Sequence, residues 1–211
     1  LEQRDVVLEG IEAKLARKLK RALQDEQNEI LDRLRSTKGR LVTTELLPST
    51  RQQARHYRAA AEESLAEAAA AGVAFVSGQG PGPNVSDVAA ELAEELVRPL
   101  SRRLIGAMDG AGDDDRSALT ERIGAAYREV KTHRSERLAG DCVIAAFSRG
   151  TLSAVPGRPL RWVVDDQGGP CADCDDNALA GPTPAREAFP TGQAHPPAHA
   201  GCRCLLVPTT T

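Results

Sequence analysis

Apolar residues along the first part of the chain recur at spacings of three, four and seven: Leu8, Ile11, Leu15, Leu19, Leu23, Ile30 and Leu34. On a 3.6-residue period these positions form one stripe, and no proline interrupts them. Residues 4–36 are therefore predicted as a single long helix, with Gly39 as its stop signal. Residues 40–50 read as a connection in which Ser49 or Thr50 caps the next helix. That helix spans 51–76 and is rich in alanine, with Tyr57 and Leu65 as its few large members. The Gly/Pro-rich stretch from Ser77 to Asn84 breaks it. A third helix is predicted from Ser86, whose hydroxyl serves as a cap, to Met108, with Pro99 expected to kink or split it. Gly110 to Asp115 is expected to be a loop. Leu119, Ile123, Tyr127, Val130, Leu138, Cys142 and Ala145 then give a fourth helix from about Ser117 to Arg149. Gly124 and Gly140 weaken it and Gly150 closes it. No internal repeat is visible.

Helical periodicity stops after Gly150. The last 61 residues hold nine of the 13 prolines and four of the five cysteines. Two short apolar runs, Arg161 to Val164 and Cys204 to Val207, are short enough to be strands that pair. So few apolar residues cannot hold such a segment in one conformation unaided, and a staple is expected. The predicted fold class is mainly α: a helical body over residues 1–150, followed by a small zinc-stapled α+β knuckle over 151–211.

Composition narrows this further. Aromatic residues are 3% of the 211, so the core must be filled by Ala, Leu and Val, which suits long helices better than a sandwich or barrel. The formal charge of −3 excludes a polycation, so any nucleic-acid contact has to be local. No run approaches the ~20 apolar residues of a membrane span. The chain opens on Leu1 rather than Met, which leaves open whether it is a fragment of a longer protein. It carries no basic-then-apolar leader, so secretion is not expected. Four cysteines crowded into 171–204 point to a metal rather than to a secreted disulfide framework.

The staple is written as Cys171-x-x-Cys174 and, after 24 intervening residues, His199-x-x-Cys202-x-Cys204. Zinc takes four S or N donors tetrahedrally, and structural sites are commonly two close pairs joined by the fold. Five residues compete for four places. Cys171, Cys174, His199 and Cys202 are the expected ligands, with Cys204 as the substitute and His195 as a more distant sixth candidate. Four protein ligands would close the shell and leave no position for catalysis. A C-x-x-C redox pair usually opens a helix after a strand. Here Pro170 and the acidic Asp173, Asp175 and Asp176 surround the motif instead. Pro170-Cys171-x-x-Cys174 also matches the second half of the zinc deaminase signature. The first half is missing, since upstream there is only His133-x-x-Glu136.

Trp162, the acidic pair Asp165-Asp166, Cys171-x-x-Cys174, Gly181, Phe189 and the run Pro196 to Pro208 together resemble the C-terminal segment of the phage Mu F-like minor head proteins, also called phage head morphogenesis proteins. The likeness covers about 162–208 and extends more weakly back through the helix bearing Arg134, Glu136, Arg137 and Gly150. Residues 1–110 carry no matching motif. Ala200-Gly201 stands where that family often reads Pro-Asn, which leaves the metal pattern intact. The resemblance implies a non-enzymatic minor capsid component of a phage or prophage, associated with portal or capsid proteins and acting in head assembly or DNA delivery. It implies a location in the virion head, or in the bacterial cytoplasm during assembly. Two other readings stand beside it: a zinc-dependent enzyme acting on nucleic acid or a nucleobase, and a domesticated bacterial interaction module.

Outside the tail, Lys14, Arg17, Lys18 and Arg21 sit at i, i+3, i+4 and i+7 and form a basic stripe. It reads as a solvated helix face, or more sharply as a set of phosphate contacts to DNA. Cys142 reads as a core thiol, Tyr57 and Tyr127 as packing residues, and Asp113 to Asp115 as an exposed loop that is only a weak candidate for a cation.

Overall fold

A computed structural model describes residues 1–39, 41–109, 116–169, 171–185 and 187–209. Six α-helices and a short π-helical turn precede a three-stranded sheet and one further helix. Helix α1 (Glu2–Ser36) buries every member of the predicted stripe, from Leu8 to Leu34. It ends where the Thr37 N–H and hydroxyl donate to the Arg33 carbonyl, and Gly39 follows with φ +86°. A single turn, α2 (Thr43–Leu46), lies in the connection. Ser49 opens α3 (Thr50–Ser77) with a reciprocal capping box to Gln52, which satisfies two otherwise unpaired N–H groups. The start of α4 (Ser86–Asp109) differs in detail from expectation: the Asn84 side-chain oxygen accepts the Ser86 N–H at 2.8 Å. Pro99 lies inside α4 without splitting it, because the stripe Leu92, Leu96, Leu100 and Leu104 is buried on both sides of it. The expected loop from Gly110 to Asp115, including the weak cation candidate, lies outside the described residues.

The predicted fourth helix is three pieces. These are α5 (Arg116–Glu129), a π turn (Val130–Arg134) and α6 (Ser135–Ala154). Gly150 does not close α6. It marks the place where α6 crosses α3: a Cβ on Gly150 would lie 2.0 Å from the Ala69 carbonyl oxygen, and one on Gly72 would lie 1.9 Å from that of Phe147. Glycine is there for backbone contact between helices. Around this α3–α6 pair pack α1 and α4, with α5 laid across α4 and α1. The core between them is mostly Leu, Ala, Val and Ile, with Tyr57, Tyr127, Phe147 and Met108 as its other buried members.

The tail forms the two expected strands and, beside a 3-10 turn (Asp166–Gly168), a helix and a third strand that periodicity did not indicate. β1 (Pro159–Val163) is the centre of the sheet. On one side it pairs antiparallel with β3 (Leu205–Pro208), Trp162 opposite Leu206, and on the other with the two-residue β2 (Thr183–Pro184). Between β1 and β2 lies α7 (Ala172–Leu179). Trp162 packs edge-to-face on Phe189, ring centroids 5.1 Å apart, in a small core with Leu160, Leu206, Cys174, Cys202 and Cys204. Leu205, the neighbour of Leu206 on β3, faces the other way and joins the core of the helical body.

Candidate metal centre

Cys171 is the N-cap of α7 and Cys174 lies in its first turn, so the three-residue spacing puts both sulfurs on one side of the helix. Contrary to expectation, Cys171-x-x-Cys174 does open a helix after a strand, the placement usual for a redox pair. His199, Cys202 and Cys204 come from the segment leading into β3. The fold brings all five donors together as two groups that share one sulfur: Cys171, Cys174 and His199, and Cys174, Cys202 and Cys204, the donor atoms within each lying within 4.8 Å of one another. Cys174, Cys202 and Cys204 are buried, Cys171 is half-buried and His199 is exposed.

The separations around Cys174 fit a tetrahedral ion. Its Sγ lies 3.5 Å from His199 Nε2 and 3.8 Å from Cys202 Sγ. Zinc bonds of ~2.3 Å to sulfur and ~2.0–2.1 Å to nitrogen place tetrahedral neighbours ~3.8 Å apart for S···S and ~3.5–3.6 Å for S···N. His199 Nδ1 lies 3.0 Å from the Ala200 carbonyl. Donation there puts the proton on Nδ1 and leaves the Nε2 lone pair facing Cys174, the tautomer a metal ligand requires. The cluster can hold a metal ion.

Cys202 and Cys204 share one proton between them. The Cys204 thiol donates to the Cys202 sulfur, which pulls Cys202 down to about 5 against the opposing effect of burial; the N–H groups of Ala198 and Cys204 assist. The same contact, reinforced by burial, holds Cys204 protonated well above the usual thiol range. Burial pushes Cys174 up to about 12. A cation that replaces these protons has to displace them, so metal uptake by the cluster is proton-linked.

Two helices of the body grip the segment that carries Cys202 and Cys204. On α6, the Asp141 carboxylate accepts the Gly201 N–H at 2.8 Å. On α1, Glu12 pairs with the Arg203 guanidinium at 2.6 Å. Arg4, fully buried, reaches the carbonyl of Arg203 and, at 3.2 Å, that of Cys204. Its charge is met by Asp5 at 2.6 Å and by the buried Asp165 at 3.2 Å. Sequence reasoning missed Arg4, although a signal existed: it lies four residues before Leu8, in phase with the apolar stripe.

The remaining candidates fall elsewhere. His195 belongs to neither donor group among the described residues; its Nδ1 lies 2.7 Å from the Pro196 carbonyl and its ring lines a cleft between α4, α6 and the 195–200 segment. Glu136 pairs with Lys20 at 2.5 Å, outside both donor groups, and supplies no half of a deaminase site. In the basic stripe, Lys14 is held by Glu63 and Glu67, both at 2.8 Å, and Lys18 by Glu63 at 2.6 Å, all across the α1–α3 seam. Arg17 and Arg21 stay exposed. Arg21 also lies 3.9 Å from Asp25, so three of the four members of the stripe face carboxylates of the same chain. Cys142 packs against the body core, and burial pushes its thiol up to about 12. No helix among the described residues is long and apolar enough to cross a membrane. Compared with known proteins, the chain matches no protein-family model, no curated protein and no solved structure.

Proposed function

We propose that this chain is a structural minor capsid or head morphogenesis protein of a phage or prophage, its tail stapled by one zinc ion and its helical body serving as a partner surface for portal or capsid proteins. The observation that carries the reading is the meeting of the two halves of the tail motif on Cys174, at separations suited to a tetrahedral ion. The motif order that resembles the Mu F-like proteins runs through that site, from Trp162 in β1 to Pro208 at the end of β3. Zinc there supplies binding energy to a core of eight buried residues, and structural zinc is worth ~10–16 kcal/mol in small domains. Cys171, Cys174, His199 and either Cys202 or Cys204 would hold it.

The role is tested by mass spectrometry of purified heads from an induced lysogen carrying the gene, and by the same preparation after its deletion. The chain should be present at a few copies per head, and deletion should leave heads that fail to assemble or to deliver DNA. A zinc-bound chain absent from particles would instead identify a domesticated interaction module. Elemental analysis of chain purified without added metal tests the staple: about one zinc is expected, and under about half an equivalent would sink it.

A zinc enzyme acting on nucleic acid or a nucleobase is favoured by one observation. His199 and Asp141 share the wall of the His195 cleft, and burial raises the Asp141 carboxyl above its ordinary range. That reading needs a ligand position open to water. Deaminase and nuclease assays on the zinc-loaded chain, with Asp141→Asn as control, discriminate the two.

A further inference from the structure

We infer that Arg4 is a positioning residue for the metal centre, so that docking of the first turns of α1 and retention of the metal are linked. The inference rests on the metal reading above. Arg4 is fully buried, at the opposite end of the sequence from the atoms it holds. Removing a guanidinium from water costs several kcal/mol, and for packing alone an apolar side chain would serve as well or better. What an apolar residue cannot do is donate to two successive carbonyls. Arg4 Nη1 donates to the carbonyls of Arg203 and Cys204, while Nη2 and Nε hold Asp5 and Asp165.

Those carbonyls belong to the two peptide units on either side of the Cys204 Cα, within the stretch whose two sulfurs must face Cys174. The Arg203 side chain is drawn the other way, onto Glu12 at 2.6 Å and Asp5 at 3.6 Å. Fixing both the peptide units and the intervening side chain leaves the Cys202 and Cys204 sulfurs directed at the cluster. If α1 lifted from the tail, this stretch would lose its hold on α1 while keeping the Gly201–Asp141 bond to α6 and the pairing of β3 with β1. Loss of the metal should in turn loosen the first turns of α1.

The test compares full-length wild type with Arg4→Met, Arg4→Lys and the double variant Arg4→Met with Asp165→Leu. Zinc affinity is read by competition with a chromogenic chelator, the Co²⁺-loaded absorption spectrum reports the donor geometry, and the metal-free melting curve reports stability. Outer-shell partners of metal ligands are typically worth 10–100-fold in affinity, so Arg4→Met and Arg4→Lys should both bind zinc about 10–100-fold more weakly and alter the Co²⁺ bands. The double variant removes the buried ion pair as a unit. It should recover metal-free stability without recovering zinc affinity. Wild-type affinity and spectrum in both single variants would overturn the inference, as would recovery of affinity in the double variant. If Arg4→Met fails to fold, Arg4→Lys decides, since it keeps the charge and loses the fork. A wild-type chain that retains no zinc overturns the metal reading itself, and this inference with it.

Discussion

Cys174 is the donor common to both groups, with His199 Nε2 at 3.5 Å and Cys202 Sγ at 3.8 Å. Its loss should therefore be worse than the loss of any flanking donor. Cys174→Ser is expected to abolish zinc retention, and Cys171→Ser and Cys204→Ser to weaken it by a lesser factor. Cys142→Ala should leave it at the wild-type level. Chelator competition on the four variants checks the order, and equal losses from Cys174→Ser and Cys204→Ser would contradict it. The α1 stripe holds a second charged residue in phase with its leucines, Glu26. One of its carboxylate oxygens accepts from Tyr57 at 2.9 Å, Tyr127 at 2.5 Å and Gln53 at 2.8 Å, and Ser101 completes the network through Gln53. The tyrosines do pack as expected, but their hydroxyls also hold a buried carboxylate. Burial, with Glu26 adding to it, keeps both phenols protonated at any ordinary pH. Hydrogen bonds to charged groups are worth ~1.5–3 kcal/mol, so Tyr127→Phe should lower stability by about that much in a urea titration, with helicity retained.

At the scale of elements, the α3–α6 crossing decides the sign of a glycine substitution. Alanine is favoured over glycine inside a helix by ~1 kcal/mol. Gly10 has no atom within 4 Å of an added Cβ, so Gly10→Ala should stabilise by ~0.5–1 kcal/mol. Gly150→Ala must push α6 off the Ala69 carbonyl and should destabilise, by ~1–3 kcal/mol or more. Urea midpoints moving in the same direction for both variants would refute the crossing. The α1–α3 seam sets a pH dependence. Hydrogen bonds from Lys14 and Lys18 hold the Glu63 carboxyl down at about 2, and Glu63 and Glu67 raise the Lys14 ammonium to about 12. The carboxylate contribution is present above about 4.5 and is lost as pH falls toward about 2. The ammonium contribution is complete below about 10.5 and is lost as pH rises toward about 12. These groups are solvent-exposed, so the effect is small and salt-sensitive. Glu63→Gln should flatten the acid limb of the melting temperature against pH.

For the molecule as a whole, the helical body and the tail have separate cores but share β3, where Leu205 faces the body and Leu206 the tail. Removing the metal is expected to expose the segment after β1 to protease while far-ultraviolet dichroism remains helical. The body keeps its own buried Leu and Ala packing, whereas the tail loses its staple. Simultaneous loss of helix and tail on chelation would place the metal at the centre of the whole fold. Intact protease resistance of the stripped chain would show that the tail core suffices alone.

Some of this was settled by residue order. The three-four-seven spacing in α1 fixed both its length and its buried face, since a helix has only one way to bury that stripe. The Ser49 cap, the break after Ser77 and the two strands flanking the cysteines were likewise local matters of capping, glycine and β-branched runs. The donor set could be named because thiolates and imidazoles at those spacings have few other uses. Tertiary structure alone decided the rest. α7 is too short for periodicity to register, and β2 is two residues held only by its partner strand. Gly150 looked like a helix end because a glycine needed for close approach carries the same letter as one needed for a turn. Lys14 and Lys18 looked like a free cationic row until α3 supplied carboxylates from 45 to 53 residues away. The grip of Arg4 on the cysteine segment depends on packing the first turn of the chain against its last strand, a relation that no local pattern encodes.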